Sequence, residues 1–322
     1  MADISEPFIW DAHSCIPLML DADLSCLERH RASGARFVHV NVGMDDEPWH
    51  YVTRLLHAFA AQLRSRPEQF ILASSLDDVS LAVLQGKLAV AFDLEGSNMI
   101  GPDVEALRLF HDLGVRQMHL VYNRNNAAGG GCLDYDIGLT AYGANLVRAV
   151  NRCGVIMDVS HSSLRTSLDV MSISTRPVVF SHANARALTE HPRNITDEQI
   201  KACAATGGVI GVTGISEFLG DPRGRTDSML RHLDYMVELV GPAHVGIGLD
   251  YVYGPMADPS SPYSPPAMKA WAATRRARDV EPEQLPELMA AMQRAGYGEA
   301  SVRQIAAGNF MRVAAASWPA HD

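Results

Sequence analysis

The chain has 322 residues, 47% of them hydrophobic, which is enough for one large core. Its formal net charge of −10 at pH 7 disfavours nucleic acid and anionic membrane surfaces as partners. The five cysteines, Cys15, Cys26, Cys132, Cys153 and Cys203, are scattered without a CxxC pair, so neither a disulfide framework nor a zinc knuckle is indicated. The first residues, MADISEPF, are acidic and lack the basic and apolar regions of a signal peptide. No apolar run approaches the roughly 18 residues of a membrane span. A reducing cytoplasm is the expected location.

Apolar runs of β character recur at 7–13, 36–42, 87–96, 115–123, 154–161, 177–182, 208–214 and 244–250. Two buried parallel strands read as such continuous runs. Amphipathic stretches lie between them, at 49–66, 141–152 and 226–240, the last with Met229, Leu230, Leu233, Met236, Val237 and Val240 on one face. The segments 286–295, 301–307 and 310–316 read as packing helices, the first stopped by Gly296. Eight strands alternating with helices, with no break in composition, predict an α/β fold: a (β/α)8 TIM barrel over residues 1–322 as one domain, with extra C-terminal helices. A doubly wound sheet is the alternative, but no GxGxxG follows the first strand.

The barrel makes a test available, because its active residues belong at the C-terminal ends of strands. The first run ends in Asp11-Ala12-His13-Ser14-Cys15, the third in Glu95-Gly96, and the fourth in Tyr122-Asn123. The fifth and sixth end in Ser160-His161 and Ser181-His182, and the eighth in Asp250. Single strand-end histidines are commonly satisfied by backbone hydrogen bonds. Two on consecutive strands favour a shared metal. The loop 123–132, NRNNAAGGGC, is glycine-rich but lacks the Lys and Ser/Thr spacing of a phosphate cradle. The proline-rich stretch 255–266 reads either as a lid at the same rim or as a plain connector. His39, on the second strand, reads as structural.

Taken together, these segments resemble the membrane (renal-type) dipeptidase family, metallopeptidase family M19, within the amidohydrolase-like barrels. DAHSCIPL is similar to the family's DGHNDLP, DLEG to its VEGG, and MDVSHSS to its IDLSHVS. VVFSHANARAL resembles FSHSSARAL, HVGIGLDYVYG resembles HVGIGSDFDG, and GNFMRV resembles GNFLRV. HPRNITDEQIKACAATGGVIGV follows the family pattern throughout.

The resemblance implies a binuclear zinc site. His13 would serve one metal, His161 and His182 the other, and Glu95 would bridge both. Asp250 would be the acid/base, and Arg193 would hold the substrate carboxylate. Imidazole and carboxylate are proper zinc ligands, and a guanidinium fork suits a carboxylate. Asp93 and Asp158 lie close to the ligands in sequence, and Asp158 is placed to orient a ligand histidine.

Two departures stand out. Cys15 occupies the family's metal-ligand Asp: either its thiolate ligates zinc, or it is a small apolar filler that leaves the first metal weak or absent. Tyr122 stands where renal-type members place a histidine on the substrate carbonyl. It either donates to the oxyanion or is a rim aromatic.

The function implied is a zinc-dependent dipeptidase-like hydrolase, with one or two Zn2+ per chain. In it a metal-bound hydroxide attacks the amide of a small carboxylate-bearing substrate. The alternatives are non-peptidase hydrolytic or isomerising chemistry on the same scaffold, or a weakly active binding protein. The expected partner is a small dipeptide-like molecule, and the resemblance implies a homodimer.

Overall fold

A computed structural model describes residues 7–254 and 278–318. The stretch 255–266, expected as a lid or connector, lies outside the described residues. The strands are β1 (Ile9–Cys15), β2 (Ala35–Met44), β3 (Phe70–Leu72), β4 (Leu88–Glu95) and β5 (Val115–His119). They continue with β6 (Ile156–Asp158), β7 (Val178–Ala183), β8 (Ile210–Val212), β9 (Val245–Ile247) and β10 (Tyr251–Val252).

All pairings between these strands are parallel, in the order β1-β2-β4-β5-β6-β7-β8-β9, and β1 pairs with β9 through Asp11 and Ile247 to close the ring. The eight-stranded α/β barrel expected from sequence is therefore present. β3 pairs outside the ring on β4, and β10 pairs on β1. The runs at 115–123, 154–161, 208–214 and 244–250 prove too long as strands, because ladder pairing ends before the rim residues.

Local chemistry sets the helices between strands. Ser75 and Asp78 form a capping box at the start of Leu76–Gln85, and Gly86, in the left-handed region, ends it. Thr140 caps Ala141–Cys153, and Thr196 with Gln199 caps Asp197–Ala205. The three segments expected near the C-terminus are helical at Leu285–Arg294, Glu299–Arg303 and Asn309–Ser317. A π-turn at Gln304–Gly308 joins the last two.

Alternate strand residues face opposite ways. Val38, Val40, Val90 and Phe92 join the larger apolar cluster shared with the surrounding helices. Phe37, Ala89, Ala91, Ile156, Val179 and Val209 join a second cluster, toward the strands' N-terminal ends. That floor is covered by Phe310 and Trp318, and Trp10 stacks on Phe37 with ring centroids 3.6 Å apart. Function is left to the opposite rim.

Candidate metal centre

Burial on both faces makes β4 a continuous strand, and it delivers Glu95 to the rim with 2% exposure. One carboxylate oxygen of Glu95, Oε1, lies 2.9 Å from His161 Nε2, 3.4 Å from His13 Nε2 and 3.8 Å from His182 Nε2. His161 Nε2 and His182 Nε2 face each other at 2.9 Å. Asn41, from β2, donates to the other oxygen, Oε2. Burial pushes the Glu95 carboxyl up to about 7, against the opposing pull of His13.

The far nitrogens of these rings are tied to polar side chains. His13 Nδ1 is 2.8 Å from Asp93 Oδ2, His182 Nδ1 is 2.7 Å from Ser181 Oγ, and His161 Nδ1 is 2.8 Å from Asn123 Oδ1. Each imidazole is thereby turned so that Nε2 points at the Glu95 oxygen. Metal-ligating histidines are held by such outer partners. Burial lowers the pKa of His161 and His182 well below 6.5, Arg193 adding to this at His161 and His13 at His182, so both stay neutral donors. Burial also works against charge on His13, but the Asp93 carboxylate overcomes it and raises that pKa. The donor set fits a divalent cation: Glu95, His161 and His182 gather at one point, and His13, Cys15 and Asp250 at a second.

At the second point Cys15 Sγ lies 3.4 Å from His13 Nε2 and 3.8 Å from Asp250 Oδ1, and Asp250 Oδ1 lies 3.6 Å from His13 Nε2. His13 and Cys15 therefore share a facing, as their spacing predicts. Burial raises the Cys15 thiol strongly, with His13 opposing. Arg193 is buried with Nη2 3.3 Å from His161 Nε2, and its guanidinium stacks on Phe218 at 5.4 Å. The Tyr122 ring lies 4.6 Å from that of His161. Burial and the nearby Glu95 charge hold its hydroxyl pKa well above 10, so Tyr122 remains a proton donor.

Tyr122, Asn123, His161 and Asp250 all stand beyond the ends of their strands rather than on them. Three of the four share an unusual backbone conformation. Asn123, His161 and Asp250 have φ of 60°, 68° and 57°, and they are the only non-glycine residues with positive φ among the described residues. A strand cannot continue through that region. Backbone strain of this kind clusters at functional sites.

Asp158, expected to orient a ligand histidine, orients His119 rather than His161 or His182. Its Oδ2 sits 2.6 Å from Nε2 of His119, and its Oδ1 accepts from the backbone of Ser160 and Ser181. His119, fully buried beneath the site, went unread in the sequence, although strand alternation places it two positions from the buried Gln117 on one facing.

Asp45 went unread as well. Its Oδ1 accepts from the N–H groups of Ser97 (2.8 Å) and Asn98 (2.9 Å), and its Oδ2 from Tyr122 N and Asn126 Nδ2 (both 2.9 Å). One carboxylate thus ties the loops after β2, β4 and β5 together. A Cβ on Gly96 would lie 2.3 Å from that carboxyl group, which explains glycine directly after Glu95.

The family model for membrane dipeptidases, peptidase family M19, matches residues 37–261. An uncharacterized dipeptidase of Schizosaccharomyces pombe is 35% identical over 176 residues, which is 52% of this chain and 42% of that protein's length. A solved amidohydrolase from Pseudomonas aeruginosa superposes with a TM-score of 0.87 at 25% identity, over 98% of both chains. A solved dipeptidase AC, a metallopeptidase of family M19, superposes with a TM-score of 0.80 at 25% identity, over 98% of this chain and 99% of its own. Among the described residues no helix is long and apolar enough to cross a membrane.

Proposed function

The chain belongs to the membrane dipeptidase family, peptidase family M19, and from that premise we propose that it is a metal-dependent hydrolase of dipeptide-like amides. The observation that carries this reading is the convergence of three imidazole Nε2 atoms on one oxygen of Glu95. Glu95, His161 and His182 would hold one divalent metal, zinc by the nature of the donors, and His13 and Cys15, with Asp250 beside them, would hold a second. When bound, such ions acidify water and polarise a carbonyl.

The chain's own residues supply the rest. Arg193, beside His161, holds the free carboxylate of the substrate through a paired guanidinium contact. That contact fixes which amide meets the centre. Tyr122, kept protonated, donates a hydrogen bond to the carbonyl oxygen as negative charge develops there. Asp250 takes a proton from the attacking water and returns it to the departing amine.

The test is the metal content of the wild type, His161→Ala and His182→Ala, with a panel of dipeptides bearing free or amidated C-termini. The expected result is loss of bound zinc and of hydrolysis in both variants, and preference for the free carboxylate. Full metal content in both variants would overturn the ligand assignment. Failure of metal-replete wild type to cleave any dipeptide would overturn the activity.

A further inference from the structure

The glycine-rich segment after β5 takes no part in the chemistry above, yet it is folded tightly against His161. Cys132 N donates to His161 O at 2.8 Å, Leu133 N donates to Asn123 O at 2.9 Å, and Gly131 forms an antiparallel bridge with Ser162. Ser163 N donates to Gly130 O at 2.8 Å. A Cβ on Gly131 would lie 2.3 Å from the carbonyl carbon and oxygen of Asn123. Gly131 is thus explained by backbone passing the Asn123 backbone, while Gly129 makes room for the Thr166 side chain and Gly130 for Ile137 and Ser163.

Asn123 Oδ1 receives two contacts, His161 Nδ1 at 2.8 Å and Cys132 Sγ at 3.6 Å. An amide oxygen has no proton to give. The contact therefore requires the proton of His161 to sit on Nδ1, which leaves the lone pair on Nε2, the atom 2.9 Å from Glu95 Oε1.

The three imidazoles around Glu95 are held by different chemistries. His13 leans on a carboxylate, His182 on a hydroxyl and His161 on a neutral amide. A carboxylate partner makes an imidazole a stronger donor than a neutral one does.

We propose that Asn123 is a positioning residue that selects the metal-binding tautomer of His161, and that the close approach of Gly131 holds it there. The proposal rests on the reading of His161 as a metal ligand.

Two variants test it. Asn123→Gly removes the amide while tolerating the left-handed backbone, and Asn123→Asp keeps an acceptor oxygen in place. Ring-nitrogen NMR on the metal-free protein should show His161 protonated at Nδ1 in the wild type and in Asn123→Asp, and mixed tautomers in Asn123→Gly. In chelator competition, Asn123→Gly should weaken one zinc by roughly 10- to 100-fold, while Asn123→Asp should bind that zinc at least as tightly as the wild type. An unchanged tautomer and unchanged affinity in Asn123→Gly would overturn the proposal. His161→Ala separates the two levels: if it keeps all its zinc, the ligand reading itself has failed. If His161→Ala loses zinc and Asn123→Gly does not, only the role of Asn123 is lost.

Discussion

Replacing His39 by leucine should stabilise the protein, and more so in acid. His39 is fully buried on β2, among the rings of Phe37 (4.7 Å), Trp10 (6.0 Å) and Trp318 (6.2 Å), and neither ring nitrogen has a hydrogen-bond partner. Burial pushes its pKa down from 6.5 to about 4, with only partial relief from the Asp93 charge. The unfolded chain therefore binds a proton here that the folded chain refuses. The stability contributed by keeping this ring neutral is fully present above pH 6.5, and it is lost as pH falls through that value toward 4.

For these two pKa values, lowering the pH from 7.5 to 5 removes about 2 kcal/mol from the wild type through this one residue. Leucine fills a similar volume without a proton to take up, so the His39→Leu variant escapes that loss. Removing two unpaired nitrogens adds stability at every pH, on the order of 1 kcal/mol or more. Urea unfolding of the wild type and His39→Leu at pH 7.5 and 5.0 measures both effects. The other titrating groups are common to the two proteins, so the difference between their pH slopes isolates His39. Equal slopes would refute the reasoning.

Arg193→Lys should raise KM for dipeptides by roughly tenfold or more with unchanged zinc content, because a point charge replaces a planar fork. Equal KM values for free and amidated C-termini in the wild type would contradict the role of Arg193. Cys15→Asp should increase turnover, since a thiolate donates more charge than a carboxylate and leaves its metal a weaker Lewis acid. In the cobalt-substituted protein a sulfur-to-metal absorption in the near ultraviolet should be present and should vanish in Cys15→Ala. A spectrum unaffected by Cys15→Ala would make that residue a filler. Asp45→Asn should lower stability by about 2 kcal/mol, through loss of charge-assisted hydrogen bonds. It should also reduce kcat more than it changes KM, because Tyr122 loses its anchor. An Asp45→Asn enzyme with wild-type kcat would show that the three rim loops hold without it.

Much of this architecture was legible because parallel barrel strands are apolar on both facings and end in polar residues. LAVAFDLE is such a strand, and its last residue is Glu95. β3 and β10 were not legible, since two or three residues carry no periodicity. The ends of β5 and β6 were overrun for a different reason: apolar residues (Leu120, Val121 and Val159) continue past His119 and Asp158, where ladder pairing stops, and the left-handed backbone beyond, at Asn123 and His161, has no signature in side-chain hydrophobicity. Ligand-type residues at the rim could be found one at a time from the sequence. Asn41, Asp45 and His119 could not, nor could the partner of Asn123, because each acts through a residue on another strand, and pairing across strands is set by register rather than by spacing along the chain. Asp158 shows the same limit, since its neighbours in sequence suggested His161 while its register partner on β5 is His119.

The left-handed backbone at Asn123, His161 and Asp250 narrows what this rim can become. Histidine, asparagine and aspartate are the residues, after glycine, that enter that region most readily, whereas others forfeit roughly 1–2 kcal/mol there. The side chains that suit the chemistry and those that suit the backbone are thus the same short set. Converting His161 to cysteine, or Asp250 to glutamate, to recruit a different metal would strain the loop as well as alter the donor. Cys15 sits in β1 with ordinary strand geometry, free of that restriction. His13, Glu95 and His182 lie in strands as well, so exchange of one residue type for another costs less backbone strain at these four positions than at His161 or Asp250.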